Sequence, residues 1–562
     1  MTLIRTGLFV LLVVLIGGCA SAPRGDAIRT ITIVGINDIH GQFSASETSG
    51  GLVDISAYVN ALRKARDADG GALLVVDAGD MWQGTLASNL TEGASMVAAY
   101  NALGVDAATL GNHEFDFGPA GAAPIPMQPG DDPRGALKQR AREAAFPLVA
   151  ANLIDAATGQ PVAWDNVQPS IMLEAAGVRI GVIGVLTRSG LSQTIAANTV
   201  GLRMAPLAET ITREARSLRS AGADLVLVIA HAGGVCDDAM DPRDTSSCDA
   251  SSEMFRVANA LEPGLVDHIF GGHLDHEMAH LVNGTSISMN LKSASSFGRV
   301  DFRVDRHSGD IVERTMHPPQ RNVLPRPATY EGQVLEPIPA VEQVAAEALA
   351  GAARLQAEQL GVVLDGPFEL NADMDSALFN LFTEALLDSF EVDVVIHNVR
   401  GGIRKGLPAG PLTFGSVYEM SPFDNYVMIL ELSGADLRRI VAAQLRRPMR
   451  AGFAGVRVFA SCDGESMTLR LVRDDGSEIL GDDPIRLLAN DYLALGGDRI
   501  LTPVIPPGGF ELRFDQPQTR DALVDWFRAR GGSLDPANWR SHSNPEWNLP
   551  NSFPQTCAPS WQ

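Results

Sequence analysis

The sequence predicts a mixed α/β (α+β) protein of two domains, and three observations carry that prediction. At 562 residues the chain exceeds what one hydrophobic core ordinarily organises. Short β-branched runs near 31–36, 73–76, 178–185, 225–230 and 266–270 alternate with segments of helical periodicity such as 52–65. That alternation breaks in a stretch, 318–339, that carries six prolines, and it resumes beyond it.

At the N-terminus, Arg5 precedes nine apolar residues from Leu8 to Ile16, too few to span a bilayer and the length of a secretory signal core. The run ends Ile16-Gly17-Gly18-Cys19, which resembles a bacterial lipoprotein signal. The expectation is that residues 1–18 are removed and Cys19 carries a lipid anchor, placing the protein in the cell envelope, periplasmic or on the outer membrane. Four other cysteines then face an oxidising compartment, where an even count favours disulfides. Cys236 and Cys248 bracket an Asp-rich loop and suit a local bridge; Cys462 and Cys557 would then tie the tail to the second domain.

Composition narrows the partners. An apolar fraction of 45% with 20% charged residues is that of a soluble globular protein. Lys+Arg 44 against Asp+Glu 67 gives a net charge of -23, which argues against a nucleic-acid polymer as partner. A small anionic substrate stays open where bound metal inverts the local potential. Oligomeric state is not legible.

The strand-like runs are followed by polar stretches that share a chemistry. In chain order these are Asp38-Ile39-His40, Gly79-Asp80 with Gly84, Gly111-Asn112-His113-Glu114-Phe115-Asp116, His231-Ala232-Gly233-Gly234 and Gly271-Gly272-His273-Leu274-Asp275. Strand ends are where an α/β sheet presents functional side chains. Two divalent ions need enough O and N ligands, a bridging carboxylate and open positions. Asp38 and His40, two apart on an extended segment, can face one ion, with Asp275 reaching it; Asp80 is the natural bridge; Asn112, His231 and His273 complete the second ion. His113 can donate a proton, with Asp116 orienting it. Singly, each residue is more readily a helix cap, turn former or surface histidine. Five such stretches, each at a strand end, point to one site. The Pro-, Gly- and Asp-rich segment 119–134 reads as a surface loop.

The order DxH, GDxxxG, GNHE, HxGG and GHxx resembles the calcineurin-like metallophosphatases, and GNHEFD with a second domain resembles the bacterial 5'-nucleotidase and UDP-sugar hydrolase family. The resemblance implies a four-layer α/β/β/α metallophosphoesterase sandwich over 28–318, a linker and linker helix over 319–361, a substrate-binding α/β domain over 362–535 and a tail over 536–562. It also implies two divalent ions (Zn, Mn, Mg or Co). The Asp275 position usually holds Gln, Asn or His in the family; a carboxylate there would favour harder ions, and His276 is a possible substitute.

A linker helix is expected over 340–360, and in the second domain a helix over 376–390, a strand over 392–396 and a helix over 434–444. By the resemblance, Arg404 in the run from Arg400 to Arg404 is the arginine near substrate. Phe423 and Tyr492 would sandwich a base, and Asn425 and Asp498 would read base and ribose. Tyr492 stands where phenylalanine is usual. Ahead of Ser376, where the family has substrate arginines, this chain reads Leu370-Asn371-Ala372-Asp373-Met374-Asp375; Arg400 is the candidate to compensate.

The expectation is an extracytoplasmic nucleotidase that hydrolyses nucleoside 5'-phosphates, with UDP-sugars as possible further substrates. The alternatives sharing the metal site are a 2',3'-cyclic nucleotide phosphodiesterase with 3'-nucleotidase activity and a thiosulfohydrolase. A non-catalytic nucleotide-binding lipoprotein is the alternative of another class; no ligand position being apolar argues against it.

Overall fold

The computed structural model describes residues 28–45, 50–121, 123–323, 327–370, 376–447, 451–464, 466–539, 547–549 and 557–559. The signal segment with Cys19 and the stretch 371–375 lie outside the described residues.

The first domain is two sheets face to face. A seven-stranded sheet runs, in spatial order, Ile311–Arg321, Ser296–Asp305, β1 (Ile28–Ile36), β2 (Ala72–Asp77), β3 (Ala107–Thr109), Leu148–Val149 and Val167–Gln168. A six-stranded sheet runs Met278–Val282, Thr285–Met289, β5 (His268–Gly271), β4 (Leu225–His231), Val178–Leu186 and Ser170–Ala175. Between them lies a core of aliphatic residues from both, Ile31, Ile33 and Leu74 meeting Val182, Leu227 and Ile229. That two-sided burial is why these strands read as continuous apolar runs. Helices Leu52–Asp69 and Ala94–Leu103 cover one outer face, and Leu207–Ser220 and Glu253–Ala260 the other, which makes the four-layer α/β/β/α sandwich.

The strands at 28–36, 72–77, 178–186, 225–231 and 268–271 fall on the expected runs. The linker helix is shorter than expected. It spans Pro339–Gln356, and the chain then enters strand Gln359–Leu364, whose alternating burial shows a period of two rather than 3.6. The helix buries Val341, Ala345 and Ala352 against the first domain's outer helices.

Beyond it, helix Ala377–Ser389 starts where Ser376 caps the N–H of Phe379, and helix Gly434–Gln444 starts at a capping box of Ser433 and Asp436. A four-stranded sheet orders Val427–Ser433, Pro484–Asn490, Val394–His397 and Gly452–Ala454. Two apolar clusters pack on its faces. Disulfides join Cys236 to Cys248 and Cys462 to Cys557. Among the described residues no helix is long and apolar enough to cross a membrane.

Candidate active site

β1, β2 and β3 are parallel neighbours, as are β4 and β5, so the loops after them open at the same edge of the sandwich. After β2 the chain turns through Gly79, at φ 91°, into Asp80. A Cβ on Gly79 would stand 2.6 Å from the Gly111 nitrogen, and one on Gly111 would stand 2.1 Å from Asp80 Oδ1. Both positions need glycine for the two loops to touch. Glu114 ties those loops together by accepting the N–H of Asp80 at 2.9 Å, of Met81 at 2.8 Å and of Gly111 at 2.5 Å. Burial, reinforced by the Asp80 charge, pushes the Glu114 carboxyl up to about 7.

Asp38, His40, Asp80 and His273 all hold positive φ, an uncommon backbone state for residues with side chains. Surrounding hydrogen bonds fix it: Asp38 N–H to Gly79 O at 2.9 Å, His40 N–H to Asp80 O at 3.0 Å, and His273 N–H to Asp38 Oδ2 at 2.8 Å.

Two donor groups converge, sharing Asp80: Asp38, His40 and Asp80, and Asp80, His231 and His273. His231 Nδ1 donates to Ala78 O at 2.8 Å, which leaves the Nε2 lone pair facing Asp80 Oδ2 at 3.2 Å, Asn112 Oδ1 at 3.0 Å and His273 Nδ1 at 3.2 Å. His40 Nδ1 is likewise held by Gln83 O at 2.9 Å, so Nε2 faces Asp38 Oδ1 and Asp80 Oδ2, each at 3.9 Å. Lone pairs facing lone pairs in a buried site call for a cation, and the mixed O and N donors suit divalent ions. The same negative surroundings that would attract an ion attract a proton to His231 when none is bound, and an ion there would displace it. Burial alone would depress His231, yet Asp80, Asp38 and Glu114 raise it to about 10. Burial pushes His40 and His273 down to about 3, leaving them neutral as ligands must be.

Asp275 does not join either group. Its carboxylate lies 3.2 Å from Lys292 Nζ at the cavity rim, 47% exposed, so the nearby ammonium neutralises the charge that was expected to reach an ion. His276, unlike Asp275, does not line the cavity.

His113 Nδ1 donates to Asp116 Oδ2 at 2.6 Å, and Asp116 Oδ1 accepts the Thr194 hydroxyl at 2.6 Å. The dyad fixes the tautomer and turns Nε2 into the cavity. Burial works against protonation of His113, but Asp116 and Asp80 outweigh it and hold the pKa above the ordinary value.

The second domain closes the cavity. Arg404 Nη2 lies 2.7 Å from His113 Nε2, and its guanidinium carbon stands 5.2 Å over the Phe423 ring. Gln83 Nε2 donates to Pro422 O at 2.9 Å, and Asn89 Nδ2 to Tyr418 Oη at 2.9 Å, so contacts across the domains flank the site. The resulting cavity, about 220 Å³, is lined by Asp38, His40, Asp80, Asn112, His113 and His273 at one end and by Arg404, Phe423, Asn425, Tyr492 and Asp498 at the other. Tyr492 Oη donates to Asp498 Oδ1 at 3.0 Å, and Asn398 Nδ2 to Asp498 Oδ2 at 2.9 Å. Asn425 Nδ2 donates to Asp491 Oδ1 at 3.0 Å. The backbone of Arg400 lies in a short helix, Val399–Gly402, beside the cavity; its side chain is outside the described structure.

Sequence reasoning missed Glu114, although it stands inside the GNHE stretch; a carboxylate following two ligand-type residues in a buried turn was the available signal. It also missed His397 and Asn398, just ahead of the Arg400 to Arg404 run, and Asp491, next to Tyr492.

Residues 31–276 match the calcineurin-like phosphoesterase family and residues 359–504 match the 5'-nucleotidase C-terminal domain. With the cluster geometry, these matches define a metal-dependent phosphoric monoester hydrolase. Within that class, the chain belongs to the 5'-nucleotidase family, which pairs those two domains. It is 24% identical over 537 residues to the 5'-nucleotidase of Vibrio parahaemolyticus, covering 88% of this chain and 90% of that protein. It is 27% identical over 487 residues to Endonuclease YhcR of Bacillus subtilis, covering 83% of this chain but only 37% of that longer protein. In structure it is similar to the 5'-nucleotidase precursor of Thermus thermophilus, with a TM-score of 0.68, 19% identity, and coverage of 93% of this chain and 100% of that one.

Proposed function

We propose that the protein is an extracytoplasmic nucleotidase that hydrolyses nucleoside 5'-phosphates to nucleoside and phosphate. The observation that carries this reading is a single cavity in which a donor cluster for divalent ions and an aromatic pair, Phe423 and Tyr492, are joined by Arg404 over His113. Asp38, His40 and Asp80 would hold one ion, and Asp80, Asn112, His231 and His273 the other. Bound there, divalent ions supply positive charge for a phosphoryl group and lower the pKa of water.

The chain's own groups do the rest. Phe423 and Tyr492 stack on the base, and Asp498, with its backbone in the left-handed region, accepts from the ribose hydroxyls. Arg404 supplies planar donors to the phosphate oxygens. His113 Nε2 accepts from Arg404; a phosphate entering between them takes the guanidinium donors and frees Nε2 to pick up a proton from solvent, which the raised pKa favours, and to pass it to the departing 5'-oxygen. Asp116 stabilises the imidazolium that does so. The Cys19 signal and the two disulfides support export.

The test is phosphate release from AMP by protein lacking residues 1–19, with manganese, zinc, magnesium or chelator. Metal-dependent release is expected, and no release under any metal from folded protein would sink the reading. The lack of arginine in Leu370 to Asp375 favours one second reading, a 2',3'-cyclic nucleotide phosphodiesterase, which 2',3'-cyclic AMP assayed beside AMP separates.

A further inference from the structure

The two donor groups of the cluster are unequal. Asp80, His231 and His273 converge with Asn112 as four donors, whereas Asp38, His40 and Asp80 converge as three. The side chain expected to complete the smaller group, Asp275, lines the same cavity as Asp38 and His40 but is held apart from them. Lys292 takes both of its oxygens. The ammonium lies 3.2 Å from Oδ2, and the backbone N–H donates to Oδ1 at 3.3 Å.

The loop that carries Lys292 is built onto the smaller group. It follows strand Thr285–Met289, and its next residue, Ser293, donates its N–H to the Asp38 carbonyl at 2.7 Å. Ser293 and Ala294 stand at φ 56° and 57°, an unfavourable backbone state for two successive residues with side chains. Contacts on either side hold them there. Asn37 donates from Nδ2 to Asn290 O at 3.0 Å and accepts the Asn290 N–H on Oδ1 at 3.1 Å, while Asn322 Nδ2 donates to Ala294 O at 2.8 Å. Lys292 is thus tied through its backbone to the residue that gives the smaller group its own carboxylate, and reaches Asp275 from there.

Exposure sets how firmly the pair competes. Lys292 and Asp275 are 43% and 47% exposed, so water screens their attraction and leaves a weak surface ion pair. A divalent ion that recruits Asp275 must first break that pair. The competition lowers the affinity of the ion without preventing its binding.

We propose that Lys292 competes with the ion of the smaller group for Asp275, which makes that ion the weaker and more exchangeable of the two and ties turnover to the free metal concentration of the compartment. The inference rests on the two-ion reading of the cluster and adds to it a positioning residue that sets how the ions load.

The experiment titrates protein lacking residues 1–19, stripped with chelator, with manganese, and follows free manganese by its electron paramagnetic resonance signal. Two binding steps of unequal affinity are expected in the wild type. In Lys292→Met the weaker step should tighten by up to about fivefold, the strength of one half-exposed ion pair, while the tighter step moves less. Lys292→Arg, which keeps the pair, should titrate as the wild type does. Removal of a positive charge near a cation tightens binding by itself, so Lys292→Met is repeated on Asp275→Ala, where most of the gain should vanish. The tighter step serves as the internal reference for folding. An unchanged weaker step in Lys292→Met, equal gains with and without Asp275, or two equal steps in the wild type overturns the competition and leaves the two-ion reading standing. Wild-type protein that binds no manganese overturns both.

Discussion

At the end of the cavity formed by Asp38, Asp80 and His231, the donor atoms are locked by partners: carboxylates by backbone N–H groups, imidazoles by backbone carbonyls, loops by Glu114. At the end formed by Phe423 and Tyr492, His397 Nε2, Asn398 Oδ1 and Thr519 Oγ1 are all buried without a partner. The difference teaches how work is divided between the domains. The first end is preorganised around charge, so an ion meets a rigid set of ligands. The second end leaves polar atoms unsatisfied, each at a cost of about 1–3 kcal/mol, and a ligand that paired with them, such as the nucleoside of the proposed substrate, would recover that cost.

The comparison can be broken first at the shared carboxylate. Asp80→Ala should abolish metal-dependent phosphate release, by roughly 10³-fold or more, and lower metal content by elemental analysis. If activity survived with full metal content, the cluster would not be the centre of the chemistry.

His113→Ala separates positioning of ions from proton transfer. Turnover should drop about 10²–10³-fold while metal content stays at the wild-type level. A parallel loss of metal would mean that His113 belongs to the rigid end rather than standing between the two.

A pH experiment probes the unsatisfied end. Burial pushes His397 down from 6.5 to about 4, so the folded protein keeps it neutral where the unfolded chain would protonate it. Its contribution to stability is complete above pH 6.5 and is lost as pH falls from there toward 4, by up to about 3 kcal/mol. Denaturant unfolding at pH 7 and pH 4.5 should show a smaller difference in His397→Gln than in the wild type. An equal difference would place the acid sensitivity elsewhere.

The smallest effect is expected at the ring. Phe423→Ala should raise KM for AMP about tenfold, with a lesser change in kcat, because stacking on one ring is worth about 1–3 kcal/mol and acts far from the reacting bond. A kcat loss that exceeds the KM change would show that the ring instead holds Arg404, which lies over it, in place.

Legibility followed the same division. The first domain's strands at 28–36, 72–77, 178–186, 225–231 and 268–271 were readable because they are buried on both faces over most of their length, unlike the largely exposed Ile311–Arg321, and its candidate donors were readable because polar residues at strand ends interrupt apolar runs within a few positions. The helix at Gly434–Gln444 matched its expected ends because its capping box is local. The linker helix was read too long, since an apolar pattern at 357–360 does not itself distinguish a last helical turn from the first residues of a strand that pairs with Gly410–Thr413 and Gly532–Leu534.

The amino-acid sequence by itself determined which residues could hold ions and that two α/β units follow one another, since those signals repeat over two to seven positions. Only the tertiary structure set Lys292 against Asp275, and Glu114 between the loops after β2 and β3. It alone brought Arg404 onto His113 from 291 residues away, and left His397 Nε2, Asn398 Oδ1 and Thr519 Oγ1 at the cavity without hydrogen-bond partners. The physical reason is range. Periodicity and capping act along the chain, whereas charge pairing and satisfaction of buried polar groups depend on distances through space that folding alone sets.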